Sequence, residues 1–439
     1  MQISAREFQQ RRQHLMALMG ENSVAILPAA PVRIRNRDVE HPYRQDSDFY
    51  YLSGFTEPHA VMVLKPGRKH GEFIMFCRER DPERELWDGY IAGPERVCEL
   101  FGADDAFPIS DINDILPGLM EGCDKVYYSM GSNQDFDNKV MSWIKVIRSK
   151  VRSGAQPPNE FMVLDHFLHD LRLYKSKSEM QLMKRAGKIS AQAHMKGMQA
   201  CRAGMYEYQL EGEYLQHFIQ NGCRSSAYPS IVGGSANACT LHYIDNKDVL
   251  QDGDLVLVDA GCEYQYYASD ITRTYPVNGK FSKEQKALYQ IVLDAQAAAI
   301  KQVKPGKHWD QAHQAAVKII TKGLLDLGIL KGRLSDLIKK EAYKPYYMHK
   351  TGHWLGLDVH DVGEYKVGGE WRLLEPGMVL TVEPGIYIAP NAKGVAKKWR
   401  GIGIRIEDDV VVTKDGCEVL TDLVPKEIDA IEQLMANRG

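Results

Sequence analysis

The chain has no apolar run approaching the roughly 18 residues needed to cross a bilayer, so nothing in it reads as a membrane span. Its opening, MQISAREFQQRRQHLMALMG, mixes charges into an amphipathic helical pattern and lacks the apolar core and cleavage site of a secretory leader. A basic excess is also missing. Lys and Arg number 55 against 58 Asp and Glu, a formal charge of -3, which offers no field for a polyphosphate backbone and excludes nucleic acid as an expected partner. Cysteine is sparse and scattered: Cys77, Cys98, Cys123, Cys201, Cys223, Cys239, Cys262 and Cys417 form no C-x-x-C pair. A disulfide scaffold is therefore not expected, and reduced thiols in a cytoplasmic protein are.

What is present is an ordinary globular composition, with 44% hydrophobic and 26% charged residues over 439 positions. At roughly 150 residues per domain, two units are expected. From Met1 to about Asn159 helical and strand-like segments alternate, with a helix near Arg6 to Met19, then apolar runs at Ser23–Leu27, Val61–Lys65 and Glu72–Cys77, and a helix-like segment follows to Tyr174. This reads as a smaller α/β domain, residues 1–174. Within it, Gly154, Pro157 and Pro158 resist both helix and central strand. Residues 175–439 form the second domain, opened by a capping box at Ser176 and Glu179 ahead of a long periodic run. A hairpin is expected from DLVLVDAG and YYASDITRTY, and a second box at Ser282 and Gln285 heads another helix. Helix-rich sequence continues to about Lys340, and strands return in GMVLTVEPGIYI and GIGIRIEDDVVVT.

The chemistry sits in the second domain. Asp259 ends an apolar strand and Asp270 lies in its expected partner, so a hairpin could aim both carboxylates at one point. Buried beside Leu257 and Val258, Asp259 costs several kcal/mol unless something positive compensates it, and no Lys or Arg adjoins it in sequence. A bound cation is one answer. His353, Glu383 and Glu407 are further candidates among apolar neighbours. Taken singly each has a plain reading: Asp259 as a turn carboxylate, Glu407 within a solvated acidic run with Asp408 and Asp409, His353 as a structural histidine. Glu383 is harder to dismiss, because Pro384 biases its backbone to the extended region. Together the set is oxygen-rich, which favours hard or borderline ions such as Mn²⁺ over thiolate-type zinc. Charge counting points to two divalent ions, since with a bridging hydroxide the four carboxylates then sum to about -1, against about -3 for one ion.

The segments VDAGCEYQYYASDITRTYPVNGKF, HKTGHWLGLDVHDVG, LEPGMVLTVEPGIYI and GIGIRIEDDVVVT resemble the successive metal-site segments of the pita-bread metallopeptidases, and more closely those of the aminopeptidase P family. HPYRQDSDFYYLSGFTEP resembles that family's N-terminal domain, so the resemblance spans nearly the whole chain. The fold it implies is α+β: a pita-bread C-terminal domain with a curved antiparallel sheet backed by helices, plus a smaller α/β N-terminal domain. The implied activity is release of the first residue from peptides with proline second, by attack of a hydroxide bridging two divalent ions, with Mn²⁺ the expected metal. Asp259, Asp270, His353, Glu383 and Glu407 would be the ligands, and Glu383 the proton shuttle. His242 and His360 resemble the family's outer histidines, which stabilise the oxyanion and position substrate. Arg405, His349 and Tyr387 resemble residues on the substrate side of the cleft.

The resemblance also implies a homo-oligomer, with a tetramer the expected form. Trp87 has two readings: an aromatic wall supplied to a neighbouring subunit's site or, the preferred one, an ordinary buried tryptophan. The nearest rival activity is that of a prolidase, which cleaves Xaa-Pro dipeptides and in some relatives organophosphate esters. A non-catalytic pita-bread binding protein is the rival of another class, disfavoured because all five ligand positions hold competent side chains.

Overall fold

The computed structural model describes residues 2–437 and divides them into two compact units, one from Ile3 to Leu171 and one from Arg172 onward. The N-terminal unit is built on six strands in the order Asp105–Pro108, Phe73–Cys77, Val61–Leu64, Ser23–Pro28, Lys125–Tyr127 and Glu160–Met162. The central three pair antiparallel and the outer ones parallel, so the central strands read as unbroken apolar runs buried on both faces. Helix Ala5–Met19 starts where the Ser4 hydroxyl accepts the Glu7 N–H.

The second unit opens with helix Lys177–Ala200. Its capping box is complete, with Ser176 Oγ accepting the Glu179 N–H and Glu179 Oε2 accepting the Ser176 N–H. Helix Lys283–Ile300 begins with the same device at Ser282 and Gln285. The strands are antiparallel throughout: Ile231–Gly234, Leu255–Asp259 and Thr272–Pro276 form one ladder, Val379–Val382, Asp408–Val412 and Cys417–Val419 another, and Gly385–Ile388 pairs with Ile402–Arg405. Helix Lys283–Ile300 packs behind Val379–Val382 and Ile402–Arg405, and helix Glu207–Gln220 behind Ile231–Gly234.

Two differences from the sequence reading matter for the site. The expected hairpin is interrupted: between Asp259 and Asp270 the chain leaves its ladder, and Cys262–Tyr264 and Tyr267–Ala268 join Ser225–Ser226 in a separate small sheet. Asp259 consequently pairs with Thr272 rather than with Asp270. The expected strands GMVLTVEPGIYI and GIGIRIEDDVVVT are each broken in two, the first at Glu383 and Pro384, the second at Ile406 and Glu407. Val382 pairs with Asp408 on one side of the break and Gly385 with Arg405 on the other. Both breaks therefore lie opposite each other: the Ile406 N–H still reaches the Pro384 carbonyl at 3.3 Å, while the Glu383 and Glu407 N–H groups bond instead to the Thr351 and Thr272 carbonyls, so both residues leave the regular ladder.

Candidate metal centre

Asp259, Asp270, His353, Glu383 and Glu407 all line one cavity of about 480 Å³. Asp270, His353 and Glu407 each present a ligand atom within 4.8 Å of the others, a cluster able to hold a metal ion. Glu383 joins through His353, whose Nε2 lies 3.7 Å from Glu383 Oε1 and 3.3 Å from Asp270 Oδ2. Asp259 joins through Tyr228, whose hydroxyl is 2.6 Å from Asp259 Oδ1 and 2.6 Å from Asp270 Oδ1. One hydroxyl has one proton to give, so only one of these carboxylates can accept it and the other faces a lone pair.

Local backbone explains how the donors converge. Gly261, two residues after Asp259, and Gly352, directly before His353, stand at close approaches: a Cβ on Gly261 would overlap the Ser269 carbonyl oxygen, and one on Gly352 the Thr381 carbonyl oxygen. His353 Nδ1 lies 2.9 Å from the Trp354 carbonyl, a partner that accepts only. Nδ1 therefore carries the proton in the neutral ring, which leaves Nε2, on the side of Asp270 and Glu383, as the ligating atom; in the metal-free protein Nε2 is protonated and donates to Asp270, a proton that a cation would replace.

The electrostatics are those of a site short of positive charge. Burial, then Asp270, Glu383 and Asp259, drive the Glu407 carboxyl well above its ordinary range. Burial likewise raises Glu383 to about 7, against the pull of His353 and Arg405. Asp259 is raised by burial and by Asp270 although Arg405 opposes it. Burial works against Asp270 as well, but its bond to His353 holds it below the usual value, and His353 is pushed up to about 9 by Asp270 and Glu383 despite its own burial. A divalent cation would relieve all of these at once by taking the place of the protons these carboxyls otherwise retain.

Arg405 is 4% exposed and fully engaged: NH2 donates to Asp259 Oδ2 at 2.6 Å, NH1 to the Tyr387 hydroxyl at 3.0 Å, and Nε to Thr272 Oγ1 at 3.0 Å. Thr272 Oγ1 donates in turn to Glu407 Oε2 at 2.7 Å. Arg405 is therefore a buried, fully paired side chain and not an exposed strand arginine. His349 gives its Nδ1 proton to the Lys350 carbonyl at 2.7 Å and accepts from Tyr387 through Nε2 at 2.9 Å. Burial, then Arg405, lowers His349 to about 3, so it is neutral. His242 and His360 stand exposed at the cavity mouth, and the His360 ring meets His353 edge to face at 4.3 Å.

Two plain readings are corrected. Glu407, Asp408 and Asp409 are not a solvated run; they are 2%, 0% and 1% exposed, because a strand here is covered on both faces. Trp87 is not a buried tryptophan. It is 89% exposed on the short helix Pro82–Asp88, beside Leu86 at 86%, since nothing in that helix is buried. Sequence reasoning also missed Tyr228 and Thr272. Thr272 sits two residues past Asp270 in DITRT and could have been reached by asking which hydroxyl shares its strand, whereas Tyr228 has no spacing signal.

Comparison with known proteins gives this arrangement a family. The chain matches the pattern of Metallopeptidase family M24 over residues 181–414 and that of the aminopeptidase P N-terminal domain over residues 8–127. It is 46% identical to an Xaa-Pro aminopeptidase of Escherichia coli over 99% of this chain and 98% of the relative, and 44% identical to that of Haemophilus influenzae over 98% and 97%. Among solved structures it is similar to Pseudomonas aeruginosa aminopeptidase PepP, with a TM-score of 0.99 at 62% identity covering 100% of this chain and 99% of that one. Zinc-substituted E. coli aminopeptidase P in complex with product gives a TM-score of 0.98 at 45% identity with full coverage of both. These likenesses extend over the whole length of the sequence and across both of its units, and the chain belongs to metallopeptidase family M24.

Proposed function

We propose that this metallopeptidase releases the first residue of peptides whose second residue is proline. The observation that carries the reading is the convergence of Asp259, Asp270, His353, Glu383 and Glu407 on one cavity, with the His353 tautomer fixed for ligation. The full-length relatives named Xaa-Pro aminopeptidase support the substrate class. Two ions are favoured over one by charge: the four carboxylates, two divalent cations and a hydroxide sum to about -1, and the Arg405 guanidinium paired with Asp259 brings the enclosed site to neutrality. The oxygen-rich donor set favours Mn²⁺.

When bound, such ions supply Lewis-acid polarisation of the scissile carbonyl and a water acidified to near neutral pH. The chain's own groups do the rest. Asp259, held by Arg405, is positioned to receive the substrate's α-amine and so to limit cleavage to the first residue. Glu383 faces the cavity between His353 and His349, from where it can take the proton of the attacking water and return it to the departing proline nitrogen. His242 and His360, at the mouth, can donate to the oxyanion and orient the peptide. His349 lines the wall beside Arg405, with the buried Tyr387 hydroxyl bonded to both from behind, and there the rigid proline ring, which brings no N–H, needs no acceptor.

The scattered thiols support a cytoplasmic setting, and the exposed Leu86, Trp87 and Tyr90 of the N-terminal unit support a homo-oligomer, with a tetramer as the expected form in which Trp87 reaches a neighbouring subunit's cleft. The test is hydrolysis of an Xaa-Pro dipeptide against an Xaa-Pro-Xaa tripeptide before and after chelation, with metal counted by elemental analysis. Cleavage of the tripeptide that stops on chelation is expected. Strong preference for the dipeptide would make the enzyme a prolidase, and absence of both metal and hydrolysis would make it a binding module.

A further inference from the structure

Apart from its histidines, the cavity has two basic side chains in its wall, Arg405 and Lys350. Arg405 is buried and spends its guanidinium on Asp259, Tyr387 and Thr272. Lys350 is its opposite. It is exposed at the cavity edge, between His349 and Gly352, and forms no ion pair among the described residues.

Its backbone is nevertheless held firmly. The Lys350 carbonyl accepts from His349, the Thr351 carbonyl accepts the Glu383 N–H at 2.8 Å, and the Thr351 hydroxyl is bonded to Tyr347 at 2.5 Å and His313 at 2.9 Å. An anchored Cα with a free ammonium makes a placed but adjustable charge. The neighbouring imidazoles are engaged elsewhere: His349 bonds to the Lys350 carbonyl and the Tyr387 hydroxyl, and His313 Nδ1 to the Thr351 hydroxyl. The acids of the cavity are taken up in the metal cluster. Asp310, which shares a smaller adjoining cavity with Lys350, accepts instead from Gln314 Nε2 at 2.5 Å.

The direction of the substrate then decides what meets this charge. Glu383 donates its N–H to the carbonyl of Thr351, the residue after Lys350, so Lys350 is the exposed charge on the cavity edge next to Glu383, and a peptide with its α-amine at Asp259 and its leaving nitrogen at Glu383 would pass it beyond the proline. We propose that Lys350 is a specificity residue of this enzyme, binding a substrate carboxylate located one residue beyond the proline, supplied by the peptide's own C-terminus when the chain ends there. The inference rests on the Xaa-Pro reading above and adds to it a preference for short peptides with a free end. An exposed ion pair of this kind is worth roughly two- to fivefold in binding and is weakened by salt.

The experiment compares Ala-Pro-Ala, its C-terminal amide and Ala-Pro-Asp amide on the metal-loaded full chain, its Lys350→Met variant and its Lys350→Arg variant. The native enzyme is expected to favour the free acid over the amide about two- to fivefold in kcat/KM, with the difference in KM. The ratio should fall to about one in Lys350→Met and in molar salt, and return in Lys350→Arg. Recovery of the preference by Ala-Pro-Asp amide would place the carboxylate on a side chain as well as the terminus, still at Lys350. An acid-to-amide ratio near one in the native enzyme, or one that persists in Lys350→Met, overturns the inference while leaving the aminopeptidase reading intact. Failure to cleave any of the three peptides overturns that reading instead.

Discussion

Glu407 and Asp408 are adjacent in sequence and equally enclosed, at 2% and 0% exposure, yet their carboxyls are driven in opposite directions. Asp408 is held below its usual range, against the cost of burial, by Arg273 and Lys426. Its oxygens accept from Arg273 NH2 at 2.6 Å, Lys426 Nζ at 2.6 Å, Thr421 Oγ1 at 2.8 Å and Gln296 Nε2 at 3.0 Å. Glu407 is pushed well above its range by burial and then by three other acids. Successive side chains leave a strand on opposite faces, so one neighbour enters a pocket where the chain supplies its counter-charge and the other a cavity where the chain withholds it. A buried acid among bases marks structure; buried acids that converge on one cavity wall mark a cation site.

The sharpest way to break this contrast is to neutralise each neighbour in turn. Glu407→Gln removes a donor from the cluster and should lower kcat/KM about 10⁴-fold, roughly 5.5 kcal/mol, while the metal-free variant unfolds at a higher temperature than metal-free native protein because the cost of keeping a buried carboxyl protonated is gone. If the metal-free variant were instead less stable, Glu407 would belong with Asp408. Asp408→Asn should do the reverse. It strands the wholly buried Arg273 guanidinium and should cost about 3–5 kcal/mol in denaturant unfolding, with or without metal.

The contrast also fixes how stability follows pH. In metal-free protein Glu383 titrates near 7 rather than 4.5, so the folded state binds a proton that the unfolded chain has already lost. Stability should therefore fall as pH rises between about 4.5 and 7, by on the order of 3 kcal/mol for this group alone. Asp408 acts with the other sign: its contribution is present above the unfolded value and is lost as pH drops through the lowered folded value. Loading metal should abolish the first dependence, because the cation replaces the protons, and leave the second. Unfolding midpoints across pH, with and without chelator, would read both.

How far the site could be read in advance follows from the same physics. The capping boxes at Ser176 and Ser282 are local, three-residue devices, so the helices they begin were legible in the sequence, as was the apolar strand ending in Asp259. The ligand set was legible jointly, because acids among apolar residues demand compensation. What escaped was everything set by partners far along the chain. The breaks at Glu383 and Glu407 depend on pairing between strands, the enclosure of Asp408 and Asp409 on elements that cover them from elsewhere, and the interrupted hairpin on a third strand at Ser225–Ser226. Tyr228 lies 42 residues from Asp270 and 31 from Asp259, and no periodicity connects them.

Tyr228 is also where the difference between the two regions should be smallest and most informative. It is half-buried on the cavity wall, and burial, then Asp259 and Asp270, raise its own ionisation well above 10, so it stays a donor. In metal-free protein it can satisfy one acid and not the other. With cations present both carboxylates have permanent partners, and the hydroxyl only fixes their orientation. Tyr228→Phe should therefore lower kcat/KM about tenfold, or roughly 1.4 kcal/mol, and weaken metal binding to a similar degree in competition with a chelator. The metal-loaded variant should lose little stability, while the metal-free variant should show a steeper decline with rising pH as Asp259 and Asp270 lose the proton donor between them. A loss of activity as large as that from Glu407→Gln would mean the hydroxyl takes part in the reaction itself; equal effects on loaded and metal-free stability would mean it belongs with Arg273 and Asp408, among groups whose charges the chain balances alone.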